Sequence, residues 1–263
     1  MKRIYVLLAV IALVAFMPAG RAAADNENNN NNLQAVPFEY VGKAGDCGTG
    51  YPAGSRIVTA AWLGGMGLPD NGGDTAVNGT PGTRNDPHSG LLLSKNGLTT
   101  DCSSSGAQIN GVKGMVVGTT ATPFIIGFDY RGGGHCGAGA PRFNVVSRLN
   151  GVDTNHFFGG CANGASIVAP QDPQWYRVRF SLFDPAVSFP PAAVGSKIVS
   201  IDILYDEGTD TPSIQDPMGV GLAVLDNIYI NGQYIRSGPR TGSGNNGRAK
   251  DKNKGDSDNE GDD

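Results

Sequence analysis

The chain has 263 residues, of which 40 are glycine and 16 are proline, and it carries a formal net charge of −4. Glycine and proline are unfavourable inside helices and frequent in turns, so this composition excludes a mainly helical fold. An acidic chain repels phosphate backbones, which argues against nucleic acid as a partner.

The first 24 residues have the pattern of a secretory signal peptide. Lys2 and Arg3 precede an apolar run at 4–16, and small residues at 22–24 suit cleavage. The apolar run is shorter than the roughly 20 residues that span a bilayer, which leaves an uncleaved anchor as the alternative. Removing this segment takes away three basic residues and no acidic one, so the net charge becomes −7. We predict a secreted protein, extracellular or periplasmic, without a membrane span in its mature form.

Two further segments lack the apolar periodicity of folded elements. Residues 25–36 form an Asn-rich leader, and residues 237–263 are rich in glycine, asparagine and charged side chains. We predict that the leader is flexible and the tail disordered. The sequence between them, 37–236, has the length of one domain. Within it, the glycine-rich stretch 63–87 is expected to form a long surface loop, either functional or a plain insertion.

Ten segments of the domain show period-two alternation or short apolar runs, both typical of β-strands. They are residues 37–42, 56–62, 90–95, 107–116, 123–131, 142–148, 154–160, 174–183, 196–205 and 220–230. Asn150 and Gly151, between two of them, predict a two-residue hairpin turn of type I′. The sequence therefore predicts an all-β fold: a single antiparallel β-sandwich with long glycine-rich loops.

Four cysteines in an exported chain indicate two disulfides. Three pairings are open, and none of the spacings is the C-x-x-C of a zinc or redox motif. We favour Cys47–Cys102 and Cys136–Cys161, because the second pair flanks the predicted hairpin.

Alternation places a mixed polar face on four of the predicted strands. Its outward residues are Asp129, Arg131, Asn144, Trp175, Arg177, Arg179 and Asp202. Carboxylates and guanidinium groups form bidentate hydrogen bonds with vicinal hydroxyls, and an exposed indole stacks on a pyranose. If these strands are neighbours, the face would bind a carbohydrate. The alternative is that the acidic and basic side chains pair with one another across strands.

Local motifs of catalysis are absent: the sequence contains no G-x-S-x-G, H-E-x-x-H or P-loop pattern. We predict no catalytic site and a secreted binding module, with an extracellular glycan as its partner. One alternative is a structural or cell-surface interaction protein without a small ligand. Another is a glycan-active hydrolase, which would need a pair of carboxylates. A metal site on His135 and His156 is a minor alternative. The acidic residues at 206–210 are expected to form a solvated turn, with calcium binding as the alternative.

Two short motifs open and close the domain: Phe38-Glu39, and Leu225-Asp226-Asn227 followed by Ile-Tyr-Ile. They resemble jelly-roll carbohydrate-binding modules of the galactose-binding-like type, although the tryptophan that often follows the opening motif is missing. This resemblance implies that the β-sandwich is a jelly roll. It also implies that Glu39 and Asp226 share a structural calcium ion, a hard cation that prefers oxygen ligands. The stretch 127–164, with SIDILYDEGTD and LDNIYING, also resembles a group of secreted bacterial proteins without known activity.

Overall fold

The computed structural model describes residues 33–55, 57–68, 88–214 and 216–239. The predicted signal peptide, residues 25–32 of the leader, residues 69–87 of the long loop and the tail from residue 240 lie outside the described residues. Within the described ranges, no helix is long and apolar enough to cross a membrane.

Thirteen β-strands of the described residues form two antiparallel sheets. Sheet 1 contains, in spatial order, β1 (Gln34–Val41), β4 (Ser103–Asn110), β11 (Lys197–Tyr205), β6 (Arg142–Leu149), β7 (Val152–Phe158) and β10 (Ser188–Phe189). Sheet 2 contains β2 (Val58–Gly64), β3 (Ser89–Lys95), β12 (Leu222–Ile230), β5 (Ile125–Arg131), β9 (Trp175–Ser181) and β8 (Ser166–Val168), and β13 (Gln233–Ile235) pairs with β12. A 3-10 turn spans Cys161–Asn163.

Eight of these strands have the connectivity of a jelly roll. Counted along the chain, β3, β4, β5, β6, β7, β9, β11 and β12 are the first to the eighth strand. Sheet 2 then has the order first, eighth, third, sixth, and sheet 1 has the order second, seventh, fourth, fifth. This is the double Greek key of a jelly roll, so the predicted all-β sandwich is confirmed.

The core lies between the sheets and follows from period-two alternation. Phe128, Phe143 and Phe180, from three different strands, are buried there. The ring centroids of Phe128 and Phe143 are 5.5 Å apart, and those of Phe143 and Phe180 are 6.3 Å apart. Burying such a ring contributes about 1.5–3 kcal/mol, so the aromatic contacts hold the two sheets together.

Local sequence signals predict most elements, with shifted ends. All ten predicted strands are present, but β1 begins at Gln34, inside the predicted leader, because it pairs with β4 along its whole length. Alternation alone places Val199 in the core. A β-bulge between Ile198 and Ser200 changes the register, and Ile198 is buried instead. The short strands β8, β10 and β13 were not predicted, since two or three residues show no periodicity.

The predicted hairpin turn and disulfides are confirmed. Asn150 and Gly151 have φ values of 51° and 82°, the left-handed backbone that a type I′ turn requires. The disulfides are Cys47–Cys102, with Cα atoms 5.4 Å apart, and Cys136–Cys161, with Cα atoms 5.3 Å apart. Both are compatible with an oxidising compartment outside the cytosol.

Candidate functional site

The sandwich divides the seven predicted ligand residues between two surfaces. Asp129, Arg131, Trp175, Arg177 and Arg179 belong to sheet 2, whereas Asn144 and Asp202 belong to sheet 1. All seven were predicted to face away from the core, and the core separates the outer faces of the two sheets. The seven residues therefore do not form a single binding surface.

The outer face of sheet 2 is closed around Trp175. The indole is fully buried, so the expectation of an exposed stacking platform is wrong. Leu68 and Val224 pack with it in a second, smaller apolar cluster. Leu68 follows β2, and the neighbouring Gly67 N–H donates to the carbonyl of His88 at 2.8 Å. The chain after β2 thus folds back over the sheet and covers the indole.

Asp129 is fully buried on the same sheet and is surrounded by donors. Arg177 donates from Nε and Nη2 to its two oxygens, at 2.8 Å each. Asn227 Nδ2 donates to the carboxylate at 3.1 Å, and Arg179 Nη2 donates at 3.3 Å. For these residues the structure shows cross-strand pairing, the alternative to ligand binding.

Arg179 is further held by two tyrosines. Its Cζ lies 5.0 Å from the ring centre of Tyr229 and 5.9 Å from that of Tyr234. The side chain passes over Gly127, where an added Cβ would lie 2.6 Å from Arg179 Cδ. Arg131 is exposed and donates to Gln174 Oε1 at 3.3 Å. Cation–π contacts and hydrogen bonds therefore hold Arg179 within the fold.

The outer face of sheet 1 is different, because one side chain from each strand forms a continuous row across it. In strand order the row consists of Val36, Gln108, Asp202, Asn144, Phe157 and Phe189, each in register with the next. Directly opposed side chains stand about 5 Å apart. Gln108 and Phe189 are exposed and the other four are partly buried. We call this set the sheet 1 row.

Asp202, in the middle of the sheet 1 row, is a carboxylate without a counter-ion. Among the described residues it has no hydrogen-bond or ion-pair partner, and its two flanking neighbours, Gln108 and Asn144, are uncharged amides. Burial raises the pKa of Asp202 to about 6. A carboxylate kept ionised at a cost, beside other polar groups, is typical of functional sites.

Arg142 orients the amide of Asn144. The guanidinium is held by Asp206 Oδ2, which accepts from Nη2 at 2.7 Å, and by the carbonyl of Gly139 at 3.0 Å. Its Nε donates to Asn144 Oδ1 at 3.3 Å, and its Cζ lies 5.4 Å from the ring centre of Phe157. The Asn144 carbonyl is thereby engaged, and in the described part of the chain its Nδ2 donors bond to no protein acceptor.

The structure does not bring Glu39 and Asp226 together. Glu39 Oε1 accepts the Ala60 N–H of β2 at 3.1 Å. Asp226 is buried on β12, and its oxygens accept the N–H groups of Asn227 at 2.6 Å and Leu68 at 2.8 Å. Strand β3 lies between β2 and β12. In the ranges that the structure describes, no three His, Cys, Asp or Glu side chains are grouped so as to hold a metal ion.

The predicted solvated turn at 206–210 is solvated only in part, since Asp210 is exposed but Asp206 and Glu207 are partly buried. Glu207 Oε2 lies 2.6 Å from Nε2 of His135, whose side chain is fully buried, and Asp216 Oδ2 lies 3.7 Å from Nδ1 of the same ring. Asp210 accepts the N–H and the hydroxyl of Thr99 at 2.7 Å each. These carboxylates join the loop after β11 to the rest of the domain.

The second histidine has separate partners. His156 Nε2 lies 2.8 Å from Ser147 Oγ, and its Nδ1 lies 2.7 Å from the carbonyl of Pro190. Burial lowers the pKa of His156. Since His135 contacts a different set of groups, the two imidazoles do not form the metal site that was one alternative.

No family model matches the chain, and neither a curated protein nor a solved structure matches it. The resemblance to galactose-binding-like modules therefore stays a prediction. The functional argument depends on the chemistry of the sheet 1 row itself.

The sequence reasoning missed four members of this row: Val36, which it placed in the flexible leader, and Gln108, Phe157 and Phe189. The sequence contains a signal for Phe157, because the turn at 150–151 pairs Leu149 with Val152. Counting away from the turn along each strand then pairs Asn144 with Phe157. Gln108 and Phe189 lie on strands that are distant in sequence from their neighbours. Their position follows only from the pairing of those strands.

Replacing Asp129 with Ala removes the carboxylate that Arg177 and Arg179 share. We expect the free energy of unfolding to fall by about 3–5 kcal/mol, because breaking a buried ion pair leaves an uncompensated charge. Urea unfolding followed by circular dichroism measures the change. Asp153→Ala is the control, since it breaks an ion pair with Arg148 whose two side chains are about half exposed, and its midpoint should stay near that of the wild type. Equal midpoints for the two variants would show that the buried network contributes no stability.

Asp202 makes the stability depend on pH. Its pKa is raised from 3.8 to about 6 in the folded state. At a pH between these two values, Asp202 therefore keeps a proton in the native protein that it has lost in the unfolded chain. This contribution to stability is full below about pH 4 and is lost as the pH rises through about 6. We expect the free energy of unfolding of Asp202→Asn to equal that of the wild type near pH 4. Near pH 7.5 it should exceed the wild-type value by about 1–2 kcal/mol. Urea unfolding over this pH range tests the prediction, and a difference that does not change with pH would contradict it.

Proposed function

We propose that the protein is a secreted, non-catalytic carbohydrate-binding module whose binding surface is the sheet 1 row. The observation that carries this proposal is the central Asp202, which has no partner within the described part of the chain and lies between two amides in a row that ends in two phenylalanines. Carboxylate and amide groups hydrogen-bond to hydroxyls, and aromatic rings pack against the apolar faces of sugars. The row combines both requirements on one partly exposed strip.

The shape of the row supports an extended ligand. It crosses six neighbouring strands, which lie about 4.8 Å apart, and it is one side chain wide. Such a strip fits a chain of sugars better than a compact small molecule. The predicted signal peptide and the two disulfides support a location where extracellular glycans are met.

The number of carboxylates favours binding over hydrolysis. Glycosidases of the common mechanisms use two carboxylates on either side of the scissile bond. Asp202 is the acidic member of the sheet 1 row, and the nearby Asp206 is held by Arg142. The row therefore does not supply the pair that a hydrolase would need.

One observation favours the alternative of an interaction protein without a small ligand. Strand β8 is at the edge of sheet 2, and its Ile167 and Val168 are 54% and 52% exposed. An edge strand with exposed apolar side chains is a ready template for pairing with another chain. Self-association that depends on Ile167, together with no glycan binding, would favour this alternative.

Substitutions in the sheet 1 row should weaken glycan binding without unfolding the protein. We expect Asn144→Ala and Phe157→Ala each to raise the Kd about tenfold, since each removes a hydrogen bond or an aromatic contact. A glycan array identifies the ligand and titration calorimetry measures the Kd. Arg131→Ala is the control, because Arg131 is exposed on sheet 2. Loss of binding in the Arg131 variant alone would place the site on sheet 2 and contradict the proposal.

A structural calcium ion at Glu39 or Asp226 stays a prediction that thermal melting tests. Bound calcium would raise the Tm relative to EDTA, because a ligand that binds only the folded state stabilises it. We expect the increase to be lost in Glu39→Gln or in Asp226→Asn, according to which carboxylate binds the ion. The matched control is Asp153→Asn, which should keep the full increase. Equal Tm values in calcium and in EDTA would remove calcium from the proposed function.

A further inference from the structure

On the outer face of sheet 1, Asp202 is an acidic side chain that no basic side chain of the described residues balances. Arg142 donates to Asp206 and to two carbonyl oxygens, and the guanidinium of Arg148 is paired with Asp153. Asp202 has no such partner among the described residues. The sheet 1 row therefore presents one negative charge between neutral neighbours.

An unpaired, partly buried carboxylate favours a cationic ligand group over a neutral one. A hydrogen bond in which both groups are charged is shorter and about twice as strong as a neutral one. The burial that raises the pKa of Asp202 also weakens the screening of its charge by water. A cation bound here would offset a cost that the folded protein otherwise carries.

The neighbours of Asp202 fit a primary ammonium on a sugar ring better than a metal ion. Calcium takes six to eight oxygen ligands, whereas the row offers one carboxylate and two amides. The Nδ2 donors of Asn144 suit a sugar hydroxyl, because Arg142 already engages the carbonyl of that amide. Phe157, directly opposite Asn144, supplies an apolar ring for the face of the same sugar.

We propose that the sheet 1 row selects glycans that contain free amino sugars, with the protonated sugar amine bound by the carboxylate of Asp202. Asn144 and Gln108 hydrogen-bond to hydroxyls beside the amine, and the ring lies against Phe157. This inference rests on the proposed carbohydrate-binding function and adds its ligand class. N-acetylation of the amine would remove the positive charge and enlarge the group facing Asp202.

The test compares oligomers of glucosamine with oligomers of N-acetylglucosamine and of glucose, at equal length. Titration calorimetry with the secreted chain near pH 7 measures each Kd. We expect the glucosamine oligomer to bind about tenfold more tightly than the other two. In Asp202→Asn, which keeps the shape of the side chain, the three affinities should become equal.

Asp153→Asn separates specific recognition from general attraction between an acidic protein and a polycation. Like Asp202→Asn, this substitution removes one negative charge, but it does so at an exposed ion pair between β6 and β7. The Asp153→Asn variant should keep the tenfold preference for the glucosamine oligomer. Loss of the preference in both variants, or in neither, would overturn the inference. Equal binding of all three oligomers by the wild type would overturn it too while leaving the carbohydrate function intact. Binding of none, together with no binding on the glycan array, would contradict the proposed function itself.

Discussion

The constraint on which the structure depends is that a two-layer sandwich must bury one face of each sheet. Because successive side chains of a strand point in opposite directions, each strand assigns every second residue to the core. Phe128, Phe143 and Phe180 fill that core from both sheets. The polar residues between them are left on two outer faces that the core keeps apart, and this separation divides the chemistry of the molecule in two.

The two outer faces differ in how far they are covered and in whether their charged side chains are paired. On sheet 2 the chain after β2 returns over the strands and buries Trp175, so the neighbouring Asp129 must be fully paired, and Arg177 and Arg179 pair with it. A buried charge without partners would cost several kcal/mol. On sheet 1 the row around Asp202 is partly exposed, and its polar groups do not need protein partners because solvent or a ligand can satisfy them.

Asp202 is the point at which stability and the proposed function conflict. Its neighbours on β4 and β6 are amides that bring no positive charge, and burial raises its pKa to about 6. An asparagine at the same position would fit the surface without that cost. Proteins depart from the rules that favour stability mainly at functional sites. The carboxylate of Asp202 is such a departure, and it is also the group that would bind the proposed ligand.

Local sequence patterns determined the class of fold, ten strands and the hairpin turn at 150–151, and the position of this turn favoured the disulfide pairing that the structure shows. These features depend on neighbouring residues or on a single short turn, whose geometry is set by side-chain chemistry. The tertiary structure alone decided that Asp129 and Asp202 lie on different sheets, that Trp175 is covered by Leu68, and that Gln108 lies beside Asp202. Each of these facts depends on which distant strands pair and where a connecting segment folds back. Those choices minimise exposed apolar surface over the whole domain, and no local pattern records them.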